Sequence, residues 1–149
     1  MGNLLLKKSD YDGAEILYRR ALKGTENTLG PEHPDTLSNV NNLGIVLKDQ
    51  GDYDGAETLC RRALEGREKT LGLEHLDTLG SASDLGFLLV HNGQRSEAVK
   101  LLRSFAVLSA AAQDGVAYNL ACYECLEKNH DEAKRLILGY LRLHPEKKD

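Results

Sequence analysis

The chain has no tryptophan, two phenylalanines and three prolines among its 149 residues. So few helix breakers leave room for uninterrupted helices, and so few aromatics mean that any core is built from aliphatic side chains. No run approaches the roughly 18–20 apolar residues that a membrane span needs. An excess of positive charge is also missing: 19 Lys and Arg stand against 23 Asp and Glu, a formal net charge of −4. That balance offers no broad positive field to nucleic-acid phosphates or an anionic membrane. Three cysteines build no disulfide framework and point to a reducing compartment such as the cytoplasm. The stretch Met1-Gly2-Asn3-Leu4-Leu5-Leu6-Lys7-Lys8 is too short in its apolar part for a leader, and its charges follow rather than precede it. Leucine is plentiful, at 27 residues, in a chain that is 41% hydrophobic and 28% charged. Together with Ala, Glu, Lys and Arg it makes the composition of a folded helical protein.

The sequence repeats itself. Shifted by 42 residues, DYDGAEILYRRALKGTENTLGPEHPDTL (Asp10–Leu37) lies on DYDGAETLCRRALEGREKTLGLEHLDTL (Asp52–Leu79) with 21 identities in 28 positions. Leu43-Gly44 falls on Leu85-Gly86, and Ala14, Ala56 and Ala98 form one column. A more diverged unit follows at a shorter step, with Leu120-Ala121 and Ala133 in the corresponding places. Such internal periodicity marks a repeat array. The units run 1–30 (truncated), 31–72, 73–111 and 112–149, about three and a half in all.

Each unit reads as two helices. Val40, Leu43, Val46 and Leu47 share one face of a helix over Ser38–Lys48, with Pro34 suited to its first turn. Gly51-Asp52 ends it. A second helix from about Asp54 carries Ala56, Leu59, Cys60, Ala63 and Leu64 on one side and Arg61, Arg62 and Arg67 outward, and stops at Leu71-Gly72. The next pairs fall near Asp77–His91 and Ser96–Ser109, then Gln113–Lys128 and Asp131–Leu143. The truncated unit keeps only Met1–Lys8 of its first helix before a second helix over Asp12–Lys23. Glycine within a helix costs roughly 1 kcal/mol against alanine, so the recurrence of Gly44 and Gly86 predicts a close crossing of paired helices.

Leu-Gly or Leu-Ala on the first helix, Ala on the second twelve residues later, and a closing Pro145 resemble the tetratricopeptide repeat. The 42-residue spacing, LGPEHPDTL between units and NNLG on the first helix resemble its kinesin-light-chain type. The resemblance covers essentially the whole chain. It implies an all-α fold, a right-handed α-solenoid of antiparallel helix pairs, whose first helices line a concave groove for a peptide or partner helix. Carried over residue by residue, the groove positions are Asn3 in the truncated unit and Ser38, Asn41, Asn42, Ile45 and Lys48 in the second. They are Ser83, Asp84 and Phe87, with His91 adjacent, in the third, and Tyr118, Asn119 and Cys122 in the fourth. Asparagine can both donate to and accept from a peptide backbone, and Phe87, Tyr118 and Ile45 offer apolar anchors. Gly80 and Asp84 stand where the carboxylate-clamping members of the family need cations, which argues against that subtype.

Other chemical signals are weak. Cys122-Tyr123-Glu124-Cys125 has C-x-x-C spacing but no further pair of zinc ligands, and mid-helix cysteines are most simply small hydrophobes. His33 and His75 occupy equivalent places between units, suited to turn and cap contacts. No nucleophile, base and acid are spaced as in a hydrolase, and no glycine-rich phosphate loop occurs. The Arg19-Arg20 and Arg61-Arg62 pairs read as solvated faces with local ion pairs. The expectation is therefore a non-enzymatic binding scaffold with no cofactor or metal and a protein or peptide partner, or alternatively a structural spacer. Neither end carries a polar capping helix, so the expectation is either a piece of a longer array or a short product that self-associates by stacking its uncapped ends on another copy.

Overall fold

The computed structural model describes the backbone of residues 2–108 and the side chains of residues 10–105. The described residues form five helices and no strand: α1 (Gly2–Leu29), α2 (Pro34–Gln50), α3 (Tyr53–Leu71), α4 (Leu76–His91) and α5 (Arg95–Leu108). The helix pairs expected near Gln113–Lys128 and Asp131–Leu143 lie outside them. Contacts divide the chain into two compact units, one ending at Gly72 and one beginning at Leu73; α1, α2 and α3 belong to the first, α4 and α5 to the second.

Local chemistry sets the helix ends. His33 caps α2, its Nδ1 accepting from the Asp35 backbone N–H at 3.2 Å, with Pro34 in the first turn. His75 does the same for α4 through the Asp77 N–H, also at 3.2 Å. The backbone at these two residues differs by only a few degrees (φ −65, ψ 142 against φ −69, ψ 139), although Leu76 replaces Pro34. The histidine cap therefore holds the turn without the proline. Asp52 caps α3 by accepting from the Gly55 N–H at 3.0 Å. Helices α2 and α4 end through glycines at left-handed φ, +87 at Gly51 and +79 at Gly93. The following N–H groups, of Asp52 and Gln94, return to the carbonyls of Leu47 and Leu89 at 2.9 and 2.7 Å. Left-handed φ costs a non-glycine residue about 1–2 kcal/mol, which explains glycine at both places.

The truncated unit departs from expectation. Met1–Lys8 and Asp12–Lys23 are not separate helices, because α1 runs unbroken from Gly2 to Leu29. Ser9 stands 42 residues before Gly51. Without a residue that enters the left-handed region freely, the chain keeps its helical hydrogen bonds and the turn is lost.

Packing follows the small residues. A Cβ on Gly44 would approach Cys60 Sγ at 3.0 Å, and one on Gly86 would approach Leu102 Cδ1 at 2.8 Å. These are the same crossing, 42 residues apart. Farther along the first pair, Gly66 lies against Leu37, whose Cδ1 would be 2.8 Å from an added Cβ. Residue 44 meeting 60 while 37 meets 66 makes α2 and α3 antiparallel. Leu43, Leu37, Ala56, Cys60 and Ala63 are at most 1% exposed in the first unit, and Leu88, Leu89, Ala98 and Leu102 are fully covered in the second. Across the first unit, Leu22 of α1 joins Val40, Leu43 and Ala63, with Tyr18 and Leu59 packed beside them.

Polar contacts tie the same helices together. Arg19–Glu15 and Arg61–Glu57, each 2.8 Å, are one i,i+4 pair repeated. Arg62 reaches instead from α3 to Glu26 of α1 at 2.6 Å. Gln50 donates to both Asp12 and Glu15, at 3.1 and 3.0 Å; that bond and Arg19 hold the Glu15 carboxyl below its ordinary pKa. Burial and the neighbouring Glu65 push Glu68 upward. Arg67 does not point outward as its sequence position suggested. It continues the Ala56, Cys60 and Ala63 row at helical spacing, is 8% exposed, and its Nη2 lies 3.5 Å from Ser38 Oγ on α2.

Two pairs of substitutions test this packing. Gly24→Ala, at a position where an added Cβ meets nothing within 4 Å, raises stability by about 0.5–1 kcal/mol through helix propensity. Gly66→Ala, one repeat later and against buried Leu37, lowers it by about 1–3 kcal/mol through overpacking. Buried Thr36 donates to Gly30 O at 2.8 Å, whereas the hydroxyl of equally buried Thr78 has no hydrogen-bond partner among the described residues. Thr36→Val therefore costs about 1 kcal/mol, and Thr78→Val is neutral or stabilising. Urea denaturation measures all four.

Candidate functional site

The open faces of α2 and α4 match at Ser38 and Gly80, Asn42 and Asp84, Ile45 and Phe87, and Asp49 and His91, whereas Ser83 stands at the position of buried Asn41. Both helices bury Leu, Gly and Val or Ala on the side toward their partners, and a helix leaves the residues between those rows at its outer surface. On α2 that surface presents Ser38, Asn42, Ile45 and Lys48, each half-buried, with exposed Asp49 beyond them. On α4 it presents exposed Gly80, half-buried Ser83 and Asp84, Phe87 and exposed His91. Phe87 is 39% exposed, and its ring lies 4.4 Å from that of His91, centroid to centroid, at an interplanar angle of 46°. Such a tilted pair gives a flat apolar body with a polar edge.

One expected groove residue is placed differently from the others. Asn41 is 7% exposed, one helical turn from Leu37 and three residues before Gly44, on the side of α2 that packs inward. Its amide is engaged within the protein. Asn42 carries the amide at the open surface. Ser38 is held near Arg67 across the α2–α3 pair. The side chain of Asn3, together with Tyr118, Asn119, Cys122 and Cys125, lies outside the described residues. Sequence reading missed Arg67 as an inward residue, though the i, i+4, i+7, i+11 spacing from Ala56 was available to signal it.

Nothing in these surfaces resembles a catalytic constellation. Among the described residues no cluster of three or more His, Cys, Asp or Glu could hold a metal ion, and no helix is long and apolar enough to cross a membrane. The remaining thiol of the described set, Cys60, is 1% exposed, in the core position it shares with Leu102.

Two family models described as tetratricopeptide repeat match the chain, at residues 36–77 and 1–54. Together they reach over residues 1–77, just over half of the sequence. The chain belongs to the tetratricopeptide repeat family. Its all-α repeat fold is shared with solved structures of other such proteins. BtubC (BKLC) from P. vanneervenii superposes with a TM-score of 0.81 at 18% identity, over 93% of this chain and 58% of that one. A kinesin-light-chain-like protein with nearly identical TPR-like repeats, from Podosopora anserina, gives 0.77 at 23% identity, over 95% of this chain and 70% of that one. MamA gives 0.67 at 19% identity, over 97% and 75%. This tetratricopeptide repeat chain thus spans a little more than half the length of BtubC. At these identities the likeness is one of fold. A comparison with curated proteins finds no match.

The split between inward and outward amides has a measurable consequence. Asn41→Ala lowers the stability of the repeat by about 1–3 kcal/mol, because it removes a buried, engaged polar group. Asn42→Ala and Phe87→Ala stay within about 0.5 kcal/mol, as surface substitutions do. Chemical denaturation followed by circular dichroism reads the difference.

Proposed function

We propose that this protein is a non-enzymatic interaction scaffold that binds an extended peptide or a partner helix on the open faces of its first helices. Tetratricopeptide repeats are generally protein-interaction modules, and this chain has the ordinary construction of one. The observation that carries the reading is the correspondence of α2 and α4. While their other sides are buried against partners, both keep a row of polar and apolar groups accessible at the same repeat positions. The matched positions are Ser38 and Gly80, Asn42 and Asp84, Ile45 and Phe87, and Asp49 and His91, with Lys48 on α2 and Ser83 on α4 beside them. Asn42 supplies donor and acceptor for a peptide backbone, and Phe87 with Ile45 supplies apolar anchors. Tyr118, Asn119 and Cys122 extend the same set by sequence position, as does Asn3; Asn41 supports the surface from within. The ligand is a protein or peptide rather than nucleic acid, in keeping with a net charge of −4. A reducing, cytoplasmic setting agrees with a buried free thiol at Cys60.

A peptide array probed with the whole chain, followed by titration of the best binders, tests the reading. Asn42→Ala and Phe87→Ala each weaken binding by about fivefold or more, roughly 1 kcal/mol, without loss of helicity. An array that captures no peptide, or binders indifferent to both substitutions, leaves the protein as a structural spacer.

A further inference from the structure

A cleft of about 210 Å³ opens where the turn between α1 and α2 meets α3, and every residue lining it belongs to the first compact unit. It exists because Gly66 has no side chain. The bare backbone there rests against Leu37, whose Cδ1 would be 2.8 Å from an added Cβ, and Pro31 of the turn lines the same space. Small-molecule pockets enclose roughly 300–1,000 Å³, so this cleft has the size for one side chain of a partner rather than for a free ligand.

The charges around it are not equivalent. Arg62 and Lys69 bring two cations to the lining, but each has an acid of its own: Glu26 lies 2.6 Å from Arg62, and Glu32 lies 3.2 Å from Lys69. Glu65 stands one helical turn from both on the same face of α3 and also lines the cleft. It is exposed and has no ion pair among the described residues. Its carboxylate is the charge left over. Burial and Glu65 together hold the Glu68 carboxyl above its ordinary range, so a cation arriving beside Glu65 also relieves crowding between like charges. The neighbouring units do not share the combination. The positions of Arg62, Glu65 and Gly66 hold Arg20, Lys23 and Gly24 one repeat earlier, and Ser104, Val107 and Leu108 one repeat later.

We propose that this cleft receives an arginine side chain of a partner protein, its stem on Pro31 and the Gly66 backbone and its guanidinium against the Glu65 carboxylate. A guanidinium is weakly hydrated and presents a planar fork to a carboxylate, which suits an apolar base with a single acid at the rim. An acidic side chain would meet Glu65 and find both cations already paired. The site stands independently of the peptide-binding reading, since it uses none of the open rows of α2 and α4.

Titration of the whole, isotopically labelled chain with N-acetyl-arginine amide, read by backbone amide chemical shifts, tests it. The probe moves the amides of residues 31–37 and 62–69 with a dissociation constant in the millimolar range. N-acetyl-citrulline amide, alike in shape but uncharged, and N-acetyl-glutamate amide each bind about threefold more weakly or worse. Glu65→Gln weakens the arginine probe by about threefold, the scale of an exposed ion pair, and Glu65→Lys abolishes its shifts in both segments. Both substitutions lie at an exposed position, and far-UV circular dichroism verifies that the helices are kept. An arginine probe that leaves these two segments unmoved overturns the proposal. So does citrulline or glutamate binding as tightly as arginine, or arginine binding that is indifferent to both Glu65 substitutions.

Discussion

The close antiparallel crossing of two helices at a residue without a side chain is the constraint from which the rest of this structure is built. Gly44 admits the Cys60 sulfur, Gly86 admits the Leu102 methyls, and Gly66 admits Leu37. At each crossing the backbones come near enough for leucines beside the contact, Leu43 and Leu85, to lose nearly all contact with water (1% and 2% exposed). Each helical glycine costs about 1 kcal/mol in propensity, and full burial of a leucine returns about 1.5–3 kcal/mol. The tight crossing is thus favourable despite its glycines. The column of small residues on the opposite helices, Ala56 and Ala98, both 0% exposed, does the same from the other side.

That crossing also divides each first helix into an inward and an outward side. Once Gly44 faces α3 and Val40 and Leu43 join the cluster shared with Leu22 of α1 and Ala63 of α3, Asn42 and Ile45 remain at the outer surface. α4 repeats the division with Asp84 and Phe87 left over. The proposed scaffold role thus rests on how the core is packed. The polar bonds that join the helices, Arg62 to Glu26 and Gln50 to Glu15, lie between second helices or between a second helix and the next first helix, away from those open faces.

The repeat, the helix pairs and their caps were legible because they depend on neighbours in sequence. Histidine at 33 and 75, Asp52, and the glycines at 51 and 93 act on backbone groups within a few residues, so spacing alone reveals them. The misreadings share a different character. Arg67 looked like a surface cation and Asn41 like an open amide, yet both sit where the crossing angle turns them inward. Residue type gave the wrong weight there, and only the partner helix fixes which side is covered. Ser9 is the intermediate case: its difference from glycine was visible, but its effect was not, since a lost turn shows itself only when the chain either folds back or continues.

The amino-acid order by itself settled that this is an all-α array of helical hairpins with one crossing reused every 42 residues, because hydrogen bonding and helical periodicity operate over short stretches of chain. The tertiary arrangement alone decided which amide faces out, which arginine is buried, and that the first turn is absent. Those outcomes depend on what lies across the helix from each residue, and proximity in space is not written in any single segment.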